Sequence, residues 1–286
     1  MPPLVLEHPF RLTNPSGDEI SGDLRVQAGL RKAPAVVICH GFSAFKDWGP
    51  FPYLGRRFAA QGFASCVFNF SHNGIGDNPR KFTEFEKFSR NTIGKEIEDL
   101  GAVVSALHGG ILGNGVVLPH SIGVVGHSRG GAVALLAASE DAKIGAVSAW
   151  GTVATVFRYT PHQRELWERQ GYLPVSIRST RTRLRFGLEV LRDLEAHRER
   201  YDLERAIHRL GIPVLFVHGK ADATVRVEEP MRLYEASDKS RTEIVLLDRV
   251  GHTFGANHPF RGHHPAVDHV VDLTARWFSL HLPETV

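Results

Sequence analysis

The chain has 286 residues, 42% hydrophobic and 23% charged, with a formal net charge of +3. That is an ordinary soluble globular composition, in a chain long enough for one large α/β domain or two small ones, and no run approaches the about 18 apolar residues of a membrane span. Two cysteines cannot build a disulfide framework, and a small net charge without an aromatic-interleaved basic groove excludes nucleic acid as the expected partner.

The first ten residues lack a basic stretch followed by an apolar one, so no secretory leader is expected. Cys39 and Cys66 each sit in an apolar run, which points to reduced core thiols and a cytoplasmic home. Residues 4–27 alternate loosely around Asn14-Pro15-Ser16-Gly17-Asp18, predicting an antiparallel hairpin at a sheet edge. Ala35-Val36-Val37-Ile38-Cys39 predicts a buried strand running into His40-Gly41-Phe42. A helix over 53–61, a buried strand over 63–70 and a Gly- and Asn-rich loop over 71–78 follow. In 92–107, Ile93, Ile97, Leu100, Val104 and Leu107 share one helical face. An apolar run then stops abruptly in Gly126-His127-Ser128-Arg129-Gly130-Gly131, and small residues continue to Ser139. That predicts a buried parallel strand, a sharp turn and a helix packed close to its sheet, with another strand over 145–150.

Residues 152–209 break the rhythm. Across 151–210 there are twelve arginines, no lysine and eight acids. Leu184, Leu188 and Leu191, and Phe186, Val190 and Leu194, have helical spacing, and no buried strand is evident. A helical cap inserted into a single domain is expected. Acids interleave with the arginines, as in Glu189, Arg192, Asp193 and Glu195, so this face is expected to be solvated and not to recruit anionic ligands. The strand pattern resumes over 213–217. A helix over 228–236, a strand over 243–247, a loop over 248–265 and a closing helix over 267–281 complete the chain. Alternating strands and helices predict an α/β fold with a mostly parallel, doubly wound sheet.

Gly-x-Ser-x-Gly between strand and helix is a nucleophile elbow, which holds Ser128 strained with its hydroxyl above the strand's carboxyl end. A serine needs a base within hydrogen-bond reach, and the base needs a carboxylate to fix its tautomer. Such groups collect at the carboxyl ends of strands. Val217-His218-Gly219-Lys220-Ala221-Asp222 supplies the acid after one strand, and Val250-Gly251-His252 the histidine after the next. Asp248 competes for the acid role. The backbone N–H groups of Phe42 and Arg129 are the expected oxyanion donors, with His40 bracing its loop. Phe157, Trp167, Leu184 and Leu188 are candidates to line an acyl pocket under the cap, against the alternative that they pack its core. His258, His263 and His264 lack metal-ligand spacing, and no dinucleotide or phosphate loop is present, so no metal or cofactor is expected.

Together, His40-Gly41-Phe42, Gly126-His127-Ser128-Arg129-Gly130-Gly131, His218-Gly219-Lys220-Ala221-Asp222 and Gly251-His252 resemble the α/β-hydrolase superfamily over residues 33–281. Within it, the chain is most similar to dienelactone-hydrolase-like and cinnamoyl/feruloyl-esterase-like serine hydrolases. The resemblance implies an inserted lid and hydrolysis of a small-molecule ester through an acyl-enzyme on Ser128. Phe68-Asn69-Phe70-Ser71-His72-Asn73-Gly74-Ile75-Gly76-Asp77 stands where many relatives carry Asp-x-Arg-Gly-x-Gly, with Asn69 and His72 replacing the acid and the arginine. The expected substrates are uncharged, short-to-medium acyl or aryl esters. Peptidase, thioesterase and acyltransferase use of the same site remain open, as do a non-catalytic binding role and a homodimer.

Overall fold

A computed structural model describes residues 3–177 and 182–283. The N-terminal hairpin pairs β1 (Val5–Thr13) with β2 (Glu19–Gln27) in antiparallel register, Val5 opposite Gln27 and Thr13 opposite Glu19. β1 is the sheet edge and is largely exposed, whereas β2 is buried along most of its length. Asn14 closes the turn, accepting from the Asp18 N–H through Oδ1 and donating Nδ2 to Asp99.

From there, strands alternate with helices as predicted. In order come β3 (Ala33–Cys39), α1 (Phe51–Ala60), β4 (Ala64–Phe68), the short α2 (Phe85–Ser89) and α3 (Ile93–His108). They are followed by β5 (Val117–His127), α4 (Arg129–Glu140) and β6 (Ala146–Trp150). The sheet has eight strands; β3 lies between β4 and β5, and β6 lies beyond β5. β2 meets β4 antiparallel, while β4, β3, β5 and β6 run parallel to one another. β3, β4 and β6 are short apolar runs buried on both faces, as parallel strands covered by helices must be.

Between β6 and β9 (Val214–Gly219) lie α5 (Pro161–Gln170), β7 (Tyr172–Ile177), β8 (Thr182–Gly187), α6 (Leu188–Ala196) and α7 (Leu203–Arg209). This corrects the all-helical expectation for 152–209. β7 and β8 form an antiparallel hairpin, with Leu173, Ile177, Leu184 and Phe186 turned inward and Arg183 and Arg185 outward. Leu184 and Phe186 therefore follow the two-residue period of a strand. Only from Leu188 does the 3.6-residue period hold, with Val190, Leu191 and Leu194 on the buried face of α6. Trp167 anchors the segment: it is fully buried, donates Nε1 to the Gly187 carbonyl and stacks near Phe186.

The arginines of this segment reach beyond their own helices. Arg185 pairs with Glu86 of α2, Arg200 with Glu140 of α4 and Arg158 with Glu229, while Arg164 of α5 pairs with Glu195 of α6. Arg178 and Arg181 lie outside the described residues. The chain closes with α8 (Glu228–Ala236), β10 (Thr242–Leu247) beside β9 at the far edge, and α9 (Pro265–His281). Among the described residues no helix is long and apolar enough to cross a membrane.

Candidate active site

β5 is a central strand, and at its carboxyl end the chain turns directly into α4. Ser128 takes up that turn at φ 56° and ψ −122°, a left-handed conformation that non-glycine residues adopt only under strain. The turn is held from both sides: Ser128 N–H donates to the Trp150 carbonyl, and Gly131 N–H donates to the Ser128 carbonyl. Gly126 is required here, because a Cβ on it would lie 2.2 Å from the Gly130 carbonyl oxygen.

Ser128 and His252 line one cavity of about 430 Å³. His252 follows β10, and Asp222 sits on the loop after β9. Asp222 Oδ2 lies 2.7 Å from His252 Nδ1, while its Oδ1 accepts from the Thr224 and Val225 N–H groups at 2.8 and 2.9 Å. The two loops are stitched together by Lys220 N–H to the Leu247 carbonyl and Ala221 N–H to the Val250 carbonyl. Burial pushes the Asp222 carboxyl up, but the hydrogen bonds from His252, Val225 and Thr224 outweigh it and hold the group below the ordinary carboxylate range. An ionised Asp222 fixes the proton of His252 on Nδ1 and leaves Nε2 for the cavity. The competing Asp248 is 76% exposed and pairs with Lys220.

Two further histidines frame this pair. His218 is fully buried, with Nε2 3.0 Å from the Val225 carbonyl and 3.5 Å from Asp222 Oδ2. Burial lowers its pKa, so the ring is neutral with its proton on Nε2, and Nδ1 is left without a partner among the described residues. His127 Nε2 lies 2.9 Å from the His252 carbonyl oxygen; burial and the neighbouring His252 push its pKa down to about 3. Sequence reasoning passed over both as motif spacers. The signal available for His218 was its place on the last inward-facing turn of a buried strand.

The loop after β3 closes over the elbow. A Cβ on Gly41 would lie 3.1 Å from Ser128 Cβ, so the Phe42 N–H is brought alongside the serine. No backbone acceptor takes the Phe42 N–H among the described residues, and Arg129 N–H, the first of α4, has none within its helix. His40 braces this loop as expected, with Nδ1 at 2.9 Å from the Gly41 carbonyl oxygen and Nε2 facing Phe70 N–H and Asn73 Nδ2. Burial lowers its pKa to about 4. The Asn69 and His72 substitutions leave the neighbouring loop held by other means. Asn69 Oδ1 accepts from Lys46 N–H and Asn73 Nδ2, and Ser71 donates through N–H and Oγ to Asp99.

The rest of the cavity corrects the predicted acyl pocket. Phe157, Trp167, Leu184 and Leu188 do not line it. Trp167 and Leu184 belong to the core of the inserted segment and Leu188 packs on it, while Phe157 packs against the main core under Arg198. The walls come instead from Ile93, Val153, Val156, Tyr159, Val190 and Leu194. Val190 and Leu194 lie four residues apart on α6, so the helical spacing was legible; only its origin in the chain was misplaced. Arg129 also reaches the cavity: its Nε donates to buried Glu96 at 2.8 Å, and its guanidinium lies over the Phe42 and Phe186 rings.

Among the described residues no group of three His, Cys, Asp or Glu side chains could hold a metal ion. The late histidines have separate tasks: His258 accepts from Gly49 N–H, His263 pairs with Asp268, and His264 caps α9.

No curated protein sequence matches the chain significantly. Among solved structures, the esterase domain of a Rhodothermus marinus protein is similar at 19% identity and a TM-score of 0.67, covering 97% of this chain and 100% of that one. Est1E from Butyrivibrio proteoclasticus aligns at 18% identity and a TM-score of 0.65, covering 95% and 99%. A dienelactone hydrolase from Anabaena variabilis aligns at 18% identity and a TM-score of 0.62, covering 98% and 99%. Likeness at these identities establishes the fold. The alpha/beta hydrolase family model matches residues 36–270, from β3 into α9, and the chain belongs to that family.

Proposed function

We propose that the chain is a serine esterase that cleaves uncharged carboxylic esters through an acyl-enzyme on Ser128. The observation that carries this reading is the 2.7 Å contact between Asp222 and His252, beside a serine strained into the same cavity. His252 Nε2 takes the Ser128 proton as Oγ attacks the ester carbonyl, and Asp222 stabilises the imidazolium that forms. The oxyanion of the tetrahedral intermediate is received by the Phe42 and Arg129 N–H groups, which are otherwise unused. His252 then gives its proton to the leaving alcohol, and water repeats the cycle on the acyl-enzyme. A mostly apolar cavity of about 430 Å³ suits one small acyl or aryl group. The esterases among the structural neighbours favour ester over peptide as the bond cleaved. Cys39 and Cys66 lie on adjacent strands as free thiols, which fits an enzyme of a reducing compartment.

The test is labelling by a fluorophosphonate together with a panel of p-nitrophenyl esters of graded chain length. The native protein should be labelled on Ser128 and turn over short esters, and Ser128→Ala should do neither while keeping its fold. Absence of both from the folded native protein would refute the reading and favour a binding protein on a hydrolase fold.

A further inference from the structure

Two polar groups stand in the apolar part of the cavity without a task in the chemistry. Tyr159, on the inserted segment, lines the cavity, and its hydroxyl makes no hydrogen bond among the described residues, although it is not one of the polar atoms sealed in the interior. Its ring is fixed edge-on against Trp167 at a centroid distance of 5.0 Å, so the hydroxyl cannot swing freely to find one. Arg129 spends Nε on Glu96 and Nη2 on the Asn91 carbonyl, at 2.8 and 3.3 Å. Its third nitrogen, Nη1, is unpartnered among the described residues and is not one of the polar atoms sealed in the interior. Around them stand Ile93, Val156, Val190 and Leu194.

We infer that Tyr159 Oη and Arg129 Nη1 form an acceptor-binding subsite that selects esters carrying an uncharged oxygen acceptor, such as a ketone, on the arm held in this cavity. The inference rests on the esterase reading above. A purely alkyl arm would strip water from two donors and give nothing back, and a site built to hydrogen-bond rejects analogues that lack the matching group. A carboxylate is disfavoured for a different reason. Glu96, held against Arg129 Nε, already neutralises the guanidinium, and Arg158 at the cavity wall is likewise paired with Glu229. The subsite thus offers donors without net charge, which matches a carbonyl and not an anion. The guanidinium is clamped over the Phe42 and Phe186 rings, at 5.8 and 6.0 Å from their centroids, so the donor geometry is set before a ligand arrives.

The experiment compares p-nitrophenyl levulinate, isocaproate and hemisuccinate, which place a ketone, a methyl branch and a carboxylate at one position. Butyrates of a keto-alcohol and of isoamyl alcohol probe the other arm. In the native enzyme the ketone ester of one arm should exceed its branched isostere in kcat/KM by about tenfold or more, and the hemisuccinate should rank below levulinate. Tyr159→Phe should collapse the ketone-to-isostere ratio towards unity, chiefly through KM. Arg129→Lys, which keeps the charge beside Glu96 but loses the fork, should lower the same ratio. Hydrolysis of all esters with ratios near unity in the native enzyme, or ratios unmoved by Tyr159→Phe, would overturn the subsite while leaving the esterase reading intact. A preference for hemisuccinate that fades with added salt would overturn the claim that the subsite is neutral.

Discussion

Asp222 owes its role to three donors arriving from different directions. Removing its charge leaves an amide that can hold His252 in the wrong tautomer, so Asp222→Asn is expected to lower kcat by about 10⁴-fold. Asp248→Asn, at an exposed side chain paired only with Lys220, should stay within about threefold of the native rate. Steady-state kinetics on one p-nitrophenyl ester decide between them, and the reverse ranking would move the acid to Asp248. His218 is expected to act through Asp222, as a positioning residue. Its neutral ring donates Nε2–H to the Val225 carbonyl with Asp222 Oδ2 3.5 Å away, so His218→Leu should loosen the loop that holds the carboxylate and shift the acid limb of the kcat/KM–pH profile. His218→Gln, which keeps a donor, should shift it less. Equal profiles for the two variants would reduce His218 to core packing.

At the scale of elements, α6 supplies Val190 and Leu194 to the cavity wall. Leu194→Phe should fill part of the 430 Å³ and cut kcat/KM for longer acyl chains by about tenfold or more, sparing acetate. Leu188→Phe, six residues earlier on the same helix and away from the wall, should leave the chain-length profile unchanged. Trp167→Ala should cost about 3–5 kcal/mol of stability, because it removes a fully buried ring and the hydrogen bond to Gly187; urea unfolding measures it. The same segment marks where sequence reading stopped. In the sheet, continuous apolar runs between turn residues have one physical meaning, and the strands at β3, β4, β6 and β9 were legible to within a few residues. In β8, inward Leu184 and Phe186 alternate with outward Arg183 and Arg185, and Leu184 happens to stand four residues before Leu188. A two-residue period then imitates a helical one. That Ser128, Asp222 and His252 would stand together at one end of the sheet could be read because each follows a strand end; the cavity wall could not, because it depends on how the inserted segment folds back.

Across the whole molecule, buried ionisable groups tie stability to pH. Burial holds His40 at about 4 and His127 at about 3, and His218 is also lowered. The unfolded chain takes up protons on these rings below about pH 6.5, whereas the folded state does not, so stability is full above that value and is lost as pH falls towards 4. Asp99, raised to about 6 by burial, and Glu96, also raised, work in the opposite sense over much of the same window. The histidines outnumber them, so a net loss of about 2 kcal/mol between pH 7 and pH 5 is expected, and Asp222, ionised in both states over that range, adds its own loss only at lower pH. Urea midpoints across that range check it, and a flat or rising stability would show the acids dominating.

The inserted segment leaves the sheet at the carboxyl end of β6 and, because β9 runs parallel beside it, returns through α7 to the opposite edge where β9 begins. Ser128, Asp222 and His252 all lie outside it, whereas Tyr159, Val190 and Leu194 lie inside. Laboratory recombination that trades this segment for another is therefore expected to alter the cavity wall while leaving Ser128, Asp222 and His252 in place. One condition limits the exchange. Arg129, next to Ser128, lies over a pair of touching rings, Phe42 of the sheet-borne loop and Phe186 of the segment. Incoming segments that put a flat ring at that place should yield working chimaeras far more often than those that do not.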